Sequence, residues 1–443
     1  MPSISGAVFR RQLTRDLATA VGAHGVWITD AEGRRFLDGS GGPLVVNVGH
    51  GREEIAQAVA NQIRTCAYVH PTMFTGGPVE TLAARLAAIT PPGIDRFYFM
   101  TTGSEAVETA LKLARQIHLE RGETQRYRVV SRWKSYHGLS LGALSVTGRT
   151  GFRTPFAPML PESYHIPAPY CYRCSFGLTH PSCGLRCAEV LDETITDLGT
   201  PTVSAFIAET VSGATLAAVP PPAGYLPRIR EICDRHGVLL ILDEVLCGLG
   251  RTGRWCAADH YDVIPDLMTM GKGLAGGAAA LSAVGVQAKW FEAVQNGSQA
   301  FVHGGTFSHH QVACAAGNAV LDILEAEQLV ERAAKMGAQL GDMLSRRLGS
   351  HPYVGDIRGI GLLWGVEFVA DRGSRKPFPR NRRVAERIWD RLYADGVLLY
   401  KAMGLTGGDG DAMVVGPPFI ITEEEMERIV EALGAAVEAE LGN

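Results

Sequence analysis

The sequence predicts an α/β protein in which a mainly parallel sheet, flanked by helices, is joined to a smaller α+β unit. Three observations carry that prediction. From about Phe97, short apolar runs alternate with amphipathic helical stretches, the grammar of a parallel sheet. The runs at 128–131 with its flanks, 205–208 and 238–242 read as strands buried on both faces. After about Asn318 the alternation gives way to a long helical stretch and a few short strands.

Taken in order, 97–100 is a strand and Thr101-Thr102-Gly103-Ser104 a turn. A helix then covers about 105–120, with Ala106, Ala110, Leu113, Ala114 and Ile117 on one face. Each of the three buried strands runs out into polar residues: Tyr136-His137, Glu209-Thr210 and Asp243-Glu244. Open α/β sheets bind ligands at the carboxyl ends of their strands, so these are candidate site residues. A glycine-flanked turn, Gly271-Lys272-Gly273, precedes another apolar run at 279–286. The later part holds a helical stretch reaching Leu348, strands at 362–368, 397–399 and 413–415, and a final helix from about Glu423. We expect a large domain over 51–325 and a small α+β domain made of 1–50 and 326–443.

Composition narrows the function. The chain has 443 residues, 46% apolar and 20% charged, with a net charge of -4. A near-neutral chain with no basic cluster is not expected to bind nucleic acid, and no apolar stretch has the length of a membrane span. Residues 1–13 carry arginines with no apolar run behind them, so a cytoplasmic protein is expected. Glycine is the outlier, with 52 residues against a usual share of about 7%. Glycines at strand ends and turns suit a backbone that approaches a ligand closely.

No single candidate residue is decisive. A lysine between glycines is ordinarily a surface turn residue. A strand-end aspartate such as Asp243 is more often a cap, and Gly103-Ser104 at a helix start is more often an N-cap than a phosphate site. Together they fit one chemistry, that of pyridoxal 5'-phosphate (PLP). This cofactor needs a lysine for its aldehyde, a carboxylate for its pyridine nitrogen, a helix N-terminus for its phosphate and an aromatic face for its ring.

Seven motifs sharpen that reading: DGSGGPLVVNVGH at 38–50, TGSE at 102–105, SYHG at 135–138, DEVLCGLGRTG at 243–253, MGKG at 270–273, HGGTFSH at 303–309 and GPPF at 416–419. In this combination the chain resembles the class III (ω-amino-acid) aminotransferases of PLP fold type I, from about Asp38 to about Glu423. The resemblance implies that Lys272 is the Schiff-base lysine and Asp243 the pyridinium partner. It implies Val245 and Tyr136 against the ring, with His137 beside it, and Gly103 and Ser104 around the phosphate. Glu209 falls near the substrate side of the cofactor, and Thr306 resembles the threonine that reaches a neighbouring subunit's phosphate. A homodimer with shared active sites, acting on small amines and keto acids, follows from the same resemblance. The racemases and epimerases on this scaffold are the alternative activity, and a binding protein that has lost catalysis is a non-enzymatic one. The presence of both Lys272 and Asp243 argues against the latter.

The chain also departs from the family pattern. Thr210 follows Glu209 where proline is common, and Leu246 stands where a glutamine touches the cofactor's phenolic oxygen. No arginine precedes the Pro-Pro motif to clamp a substrate carboxylate. Lys401 or Arg251 would have to serve, or a neutral or bulky amine is one substrate. A compact set, Cys171, Cys174, Cys183 and Cys187, is compatible with a zinc or iron–sulfur site, with two local disulfides, or with a loop of structural thiols.

Overall fold

A computed structural model describes residues 6–13 and 15–442, so the first five residues of the expected small domain lie outside it. The apolar runs assemble into a seven-stranded sheet of β1 (Ile94–Met100), β2 (Arg128–Arg132), β3 (Tyr164–Ile166), β4 (Val203–Glu209), β5 (Leu239–Asp243), β6 (Leu267–Met270) and β7 (Ser282–Gln287). The spatial order is β1-β7-β6-β5-β4-β2-β3. Only β7 runs against its neighbours, and the pairs from β6 to β3 are parallel.

Alternation along these strands fills two cores. Ala205, Ile207, Leu239 and Ile241 pack on one face with the helix α1 (Gly103–Glu120). Phe206, Ala208, Leu240 and Leu242 join the main core on the other face. Every residue of β4 and β5 is buried, as strands covered on both sides must be. Helix α1 starts two residues earlier than the sequence suggested, because Thr102 and Glu105 close a capping box around its first turn.

The rest of the chain forms two antiparallel assemblies. Ala20–His24, Trp27–Asp30 and Arg35–Asp38 make a meander that Val397–Leu398 extends in parallel. Val354–Ile360, Leu363–Asp371, Asp409–Val415 and Tyr400–Thr406 form a second sheet in that order. The single helical stretch expected after Asn318 is two helices, Gln311–Ala326 and Leu329–Leu348, separated at Gln328, whose φ of 49° breaks the helical path.

The position of the site follows from register. Glu209 lies beside Asp243, and Asp243 beside Thr269, at the carboxyl ends of three adjacent parallel strands. A row of three polar side chains therefore crosses the end of the sheet, next to the turn after β6 that carries Lys272.

Candidate active site

Glu209 and Asp243 of this row line a cavity of about 170 Å³ to which five separate segments contribute. Thr102, Gly103 and Ser104 come from the start of α1, Tyr136 and His137 from the segment after β2, and Glu209 from the end of β4. Asp243 and Val245 follow β5, and Lys272 follows β6. Eight of the nine residues expected from sequence around the cofactor thus share one cavity. The ninth, Thr306, is exposed in the segment between Phe301 and His309 and is not part of this lining.

Asp243 is the most firmly held member. Its Oδ2 accepts a hydrogen bond from His137 Nδ1 at 2.7 Å, and its Oδ1 accepts from Thr269 Oγ1 at 3.1 Å and from the Val245 N–H at 3.0 Å. Thr269 was not anticipated. The signal was a lone polar residue inside the apolar run Leu267–Met270. His137 Nε2 is buried and has no hydrogen-bond partner among the described residues. Glu209 accepts from the Tyr136 N–H at 3.3 Å and the Gly213 N–H at 3.2 Å, and burial raises its pKa.

Lys272 adopts a left-handed backbone with φ of 46°, a strained state for a side-chain-bearing residue that the surrounding packing must hold. Asn47, from the 38–50 motif, reinforces the turn by donating through Nδ2 to the Gly273 carbonyl at 3.1 Å. Burial pushes the Lys272 ammonium down to about 8, while Asp243 and Glu209 pull the other way. The desolvation outweighs two nearby carboxylates, so a far larger minority of the amine is neutral near physiological pH than for an ordinary lysine.

The rim at α1 is made of close approaches. A Cβ on Gly103 would lie 2.8 Å from Val245 Cγ1. One on Gly138 would lie 2.4 Å from Ser104 Oγ, at a φ of 135° that only glycine adopts readily. Ser104 Oγ accepts from the Leu139 N–H at 3.2 Å, tying the start of α1 to the SYHG turn. A helix of 18 residues directs its free N–H groups at this rim, which suits a phosphate. A depressed lysine, a fixed aspartate and a helix N-terminus around one cavity fit PLP. Leu246 also lines the cavity and offers no hydrogen bond.

Two other sequence candidates lie elsewhere. Arg251 is buried and tied to the backbone, its Nη1 donating to the carbonyls of Leu362 at 3.0 Å and Pro417 at 2.6 Å, with its guanidinium 4.7 Å over Phe419. Lys401 sits 4.2 Å over the Trp389 ring, and neither lines the cavity. Cys171, Cys174, Cys183 and Cys187 do gather around a narrow hollow. However, all nine cysteines are free thiols, and among the described residues no group of three or more His, Cys, Asp or Glu side chains is placed to hold a metal. The zinc or iron–sulfur expectation therefore has no support. Burial raises the Cys171 thiol and takes Cys187 to about 11. The loop is anchored instead by Arg173 Nε, 2.6 Å from buried Glu367.

Comparison with known proteins gives a consistent picture. The family model for class III aminotransferases matches residues 9–437. The uncharacterised aminotransferase YodT of Bacillus subtilis (strain 168) is 37% identical over 418 residues, 94% of each chain. The diaminobutyrate–2-oxoglutarate transaminase of Halomonas elongata is 36% identical over 423 residues, which cover 94% of this chain and 89% of that one. A solved thermostable (S)-enantioselective omega-transaminase from Thermomicrobium roseum matches with a TM-score of 0.90 and 39% identity, over 96% of this chain and 93% of the other.

Proposed function

The chain belongs to the class III aminotransferases, and from that premise we propose that the cavity around Lys272 is where it exchanges amino groups. The protein is a PLP-dependent enzyme of fold type I that moves an amino group between an amine or amino acid and a keto acid or aldehyde. The racemase or epimerase alternative finds no support in these relatives.

In this reading Lys272 anchors the cofactor's aldehyde, Asp243 faces its pyridine nitrogen, and Gly103 and Ser104 receive its phosphate. Val245, Tyr136 and His137 enclose the ring. When bound, the cofactor supplies an electron sink that lets the carbon bearing the amine release a proton. Lys272 Nζ accepts that proton and returns it, a role its lowered pKa supports. The Asp243 carboxylate would face the pyridine nitrogen and favour a proton there, and His137 and Thr269 keep it oriented. Glu209, holding the Tyr136 N–H, borders the space left for substrate.

One observation carries the proposal: the strained Lys272 turn lies in the same cavity as a carboxylate fixed by three hydrogen bonds. Borohydride reduction of the PLP-loaded protein followed by peptide mapping tests it. The reduced pyridoxyl group should be found on Lys272, and a label on any other lysine refutes the assignment.

Three further readings belong to the same proposal. A homodimer is supported by exposed apolar side chains near exposed Thr306: Val302 and Phe307 lie beside it in sequence, and Tyr68 packs edge-on against Phe307. The division into 51–325 and 1–50 with 326–443 is supported by the pairing of Arg35–Asp38 with Val397–Leu398. A cytoplasmic setting is supported by nine free thiols. Among the described residues no helix is long and apolar enough to cross a membrane.

A further inference from the structure

We propose that Arg132, sealed beneath the Lys272 cavity, is a positioning residue for amino-group transfer that acts on the reacting groups through Glu209. The proposal rests on the aminotransferase reading above and adds a residue that does not itself line the cavity.

Arg132 is the last residue of β2 and Glu209 the last of β4, its parallel neighbour. At 1% exposure Arg132 is the largest side chain completely buried among the described residues. One Nη donates to the Glu209 carbonyl and lies 3.5 Å from Ser212 Oγ, so the guanidinium grips both ends of the turn 209–212. That turn sets the Glu209 carboxylate. Ser212 pairs with Val219, and the next N–H, of Gly213, is one of the two donors to the carboxylate. The other donor, the Tyr136 N–H, belongs to the segment that follows Arg132.

A buried cation is costly unless an anion is near. Among the described residues no carboxylate reaches ion-pair distance of Arg132, and its Nε has no hydrogen-bond partner. Tyr225 and Tyr261 feel its charge, but burial raises both phenols, so they stay neutral. The carboxylate it acts on is Glu209, which sits among charges of both signs. Burial raises the Glu209 pKa most and Asp243 adds to the rise, while His137 and Arg132 oppose it. Lys272 and the Cys247 thiol face the same carboxylate. A guanidinium keeps its proton at any working pH, whereas an imidazole and an amine can give theirs up. Lys272 gains and loses a proton in every turnover, so Arg132 is the cation that stays constant.

The charge on Glu209 matters to the reaction twice. It makes Lys272 a stronger base by pulling the pKa of the amine upward. It also strengthens the hydrogen bond that holds Tyr136 at the cavity wall. A protonated Glu209 would do neither, and would place a second acid beside Lys272. Arg132 opposes that proton by its charge and fixes the turn by its hydrogen bonds.

The test is the pH profile of single-turnover half-reactions of the holoenzyme. They are followed at its visible cofactor band with the fastest donor among 1-phenylethylamine, alanine and 2,4-diaminobutyrate. Arg132→Gln keeps a donor for the Glu209 carbonyl but loses the charge. Without the opposing cation Glu209 takes its proton at higher pH, so the acid limb should move up by about one pH unit. The rate then falls about 10-fold at pH 6 and less than about 2-fold at pH 9. Arg132→Lys should restore the parent profile, and in a Glu209→Gln background Arg132→Gln should move nothing. A loss equal at every pH, or a shift as large in Glu209→Gln as in the parent, overturns the proposal. Should Arg132→Gln melt early, Arg132→Met, which buries no polar group in its place, is read in the same way. A holoenzyme whose band responds to no amine refutes the aminotransferase reading, whereas a reactive one with an unmoved profile refutes the role of Arg132 alone.

Discussion

Asp243 and Glu244 are consecutive carboxylates at the end of one strand, yet they serve two different regions. Asp243 turns into the Lys272 cavity, where His137, Thr269 and the Val245 N–H fix it beside open space. Glu244 turns the other way, into packed protein. It accepts from the Ala257 and Ala258 N–H groups, both at 2.7 Å, and from Thr210 Oγ1 at 3.0 Å. Both side chains are buried and both are saturated with donors, so neither burial nor hydrogen bonding separates a catalytic acid from a structural one. What separates them is whether the space beside the carboxylate is empty. Substitutions on the two sides should therefore fail differently, in activity on one side and in stability on the other.

The largest effect is expected on the open side. Lys272→Ala removes the only lysine that lines the cavity among the described residues, and transamination should drop about 10⁴-fold with little change in melting temperature. Stopped-flow half-reactions with a good amine donor would measure it. Asp243→Asn keeps the shape but loses the charge, and a fall on the order of 10³-fold is expected at unchanged cofactor content. A variant of either kind that unfolds instead would erase the contrast between the regions.

The pKa of Lys272 sharpens the same side. In the cofactor-free chain the amine titrates at about 8, below its ordinary 10.5. PLP is captured by the neutral amine, so the capture rate should rise about 10-fold per pH unit below pH 8 and level off above it. The folded state also binds fewer protons than the unfolded chain between pH 8 and 10.5, so this group makes the cofactor-free fold gain stability as pH rises through that window. A capture rate flat from pH 6 to 9 would contradict the depressed amine.

A smaller change is expected at the rim. In Gly103→Ala the new methyl meets Val245 Cγ1 at 2.8 Å, which should weaken cofactor retention about 10-fold in a titration of the cofactor-free chain. Adding Val245→Ala should recover part of the loss. No recovery would mean that the crowding arises elsewhere.

The difference in legibility has the same physical basis as the difference between the carboxylates. Strands buried on both faces announce themselves, so β2, β4 and β5 were readable within a residue or two, as was the helix opening at Thr102-Gly103. The hairpin Tyr400–Thr406 with Asp409–Val415 was only half seen. Its first strand mixes Lys401, Gly404 and a half-buried face, leaving no clean period. β6 is four residues long and was hidden by the glycine turn it feeds. The polar strand ends were legible as a set, because chemistry required them together. Their row across β4, β5 and β6 depends on register, which sequence spacing does not carry. The four cysteines show the converse: a tight spacing suggested a ligand set, and a buried ion pair at Glu367 holds the loop.

The smallest predicted effect lies on the sealed side and is one of stability alone. Burial raises Glu244 to about 7 from an ordinary 4.5, and the hydrogen bonds from Ala257, Ala258 and Thr210 pull it back only in part. Between those two values the folded protein keeps a proton that the unfolded chain releases. This residue therefore costs stability as pH climbs from 4.5 through 7. Glu244→Gln removes that titration. Its amide oxygen can still serve Ala258 and Thr210, but its NH₂ would face the Ala257 N–H, leaving one donor unpaired at about 1–2 kcal/mol. Melting curves at pH 5 and pH 8 should then show the variant less stable at pH 5 and closer to the parent at pH 8, with kcat unchanged at both. A loss of kcat matching that of Asp243→Asn would place Glu244 in the chemistry and end the distinction between the two sides of the strand.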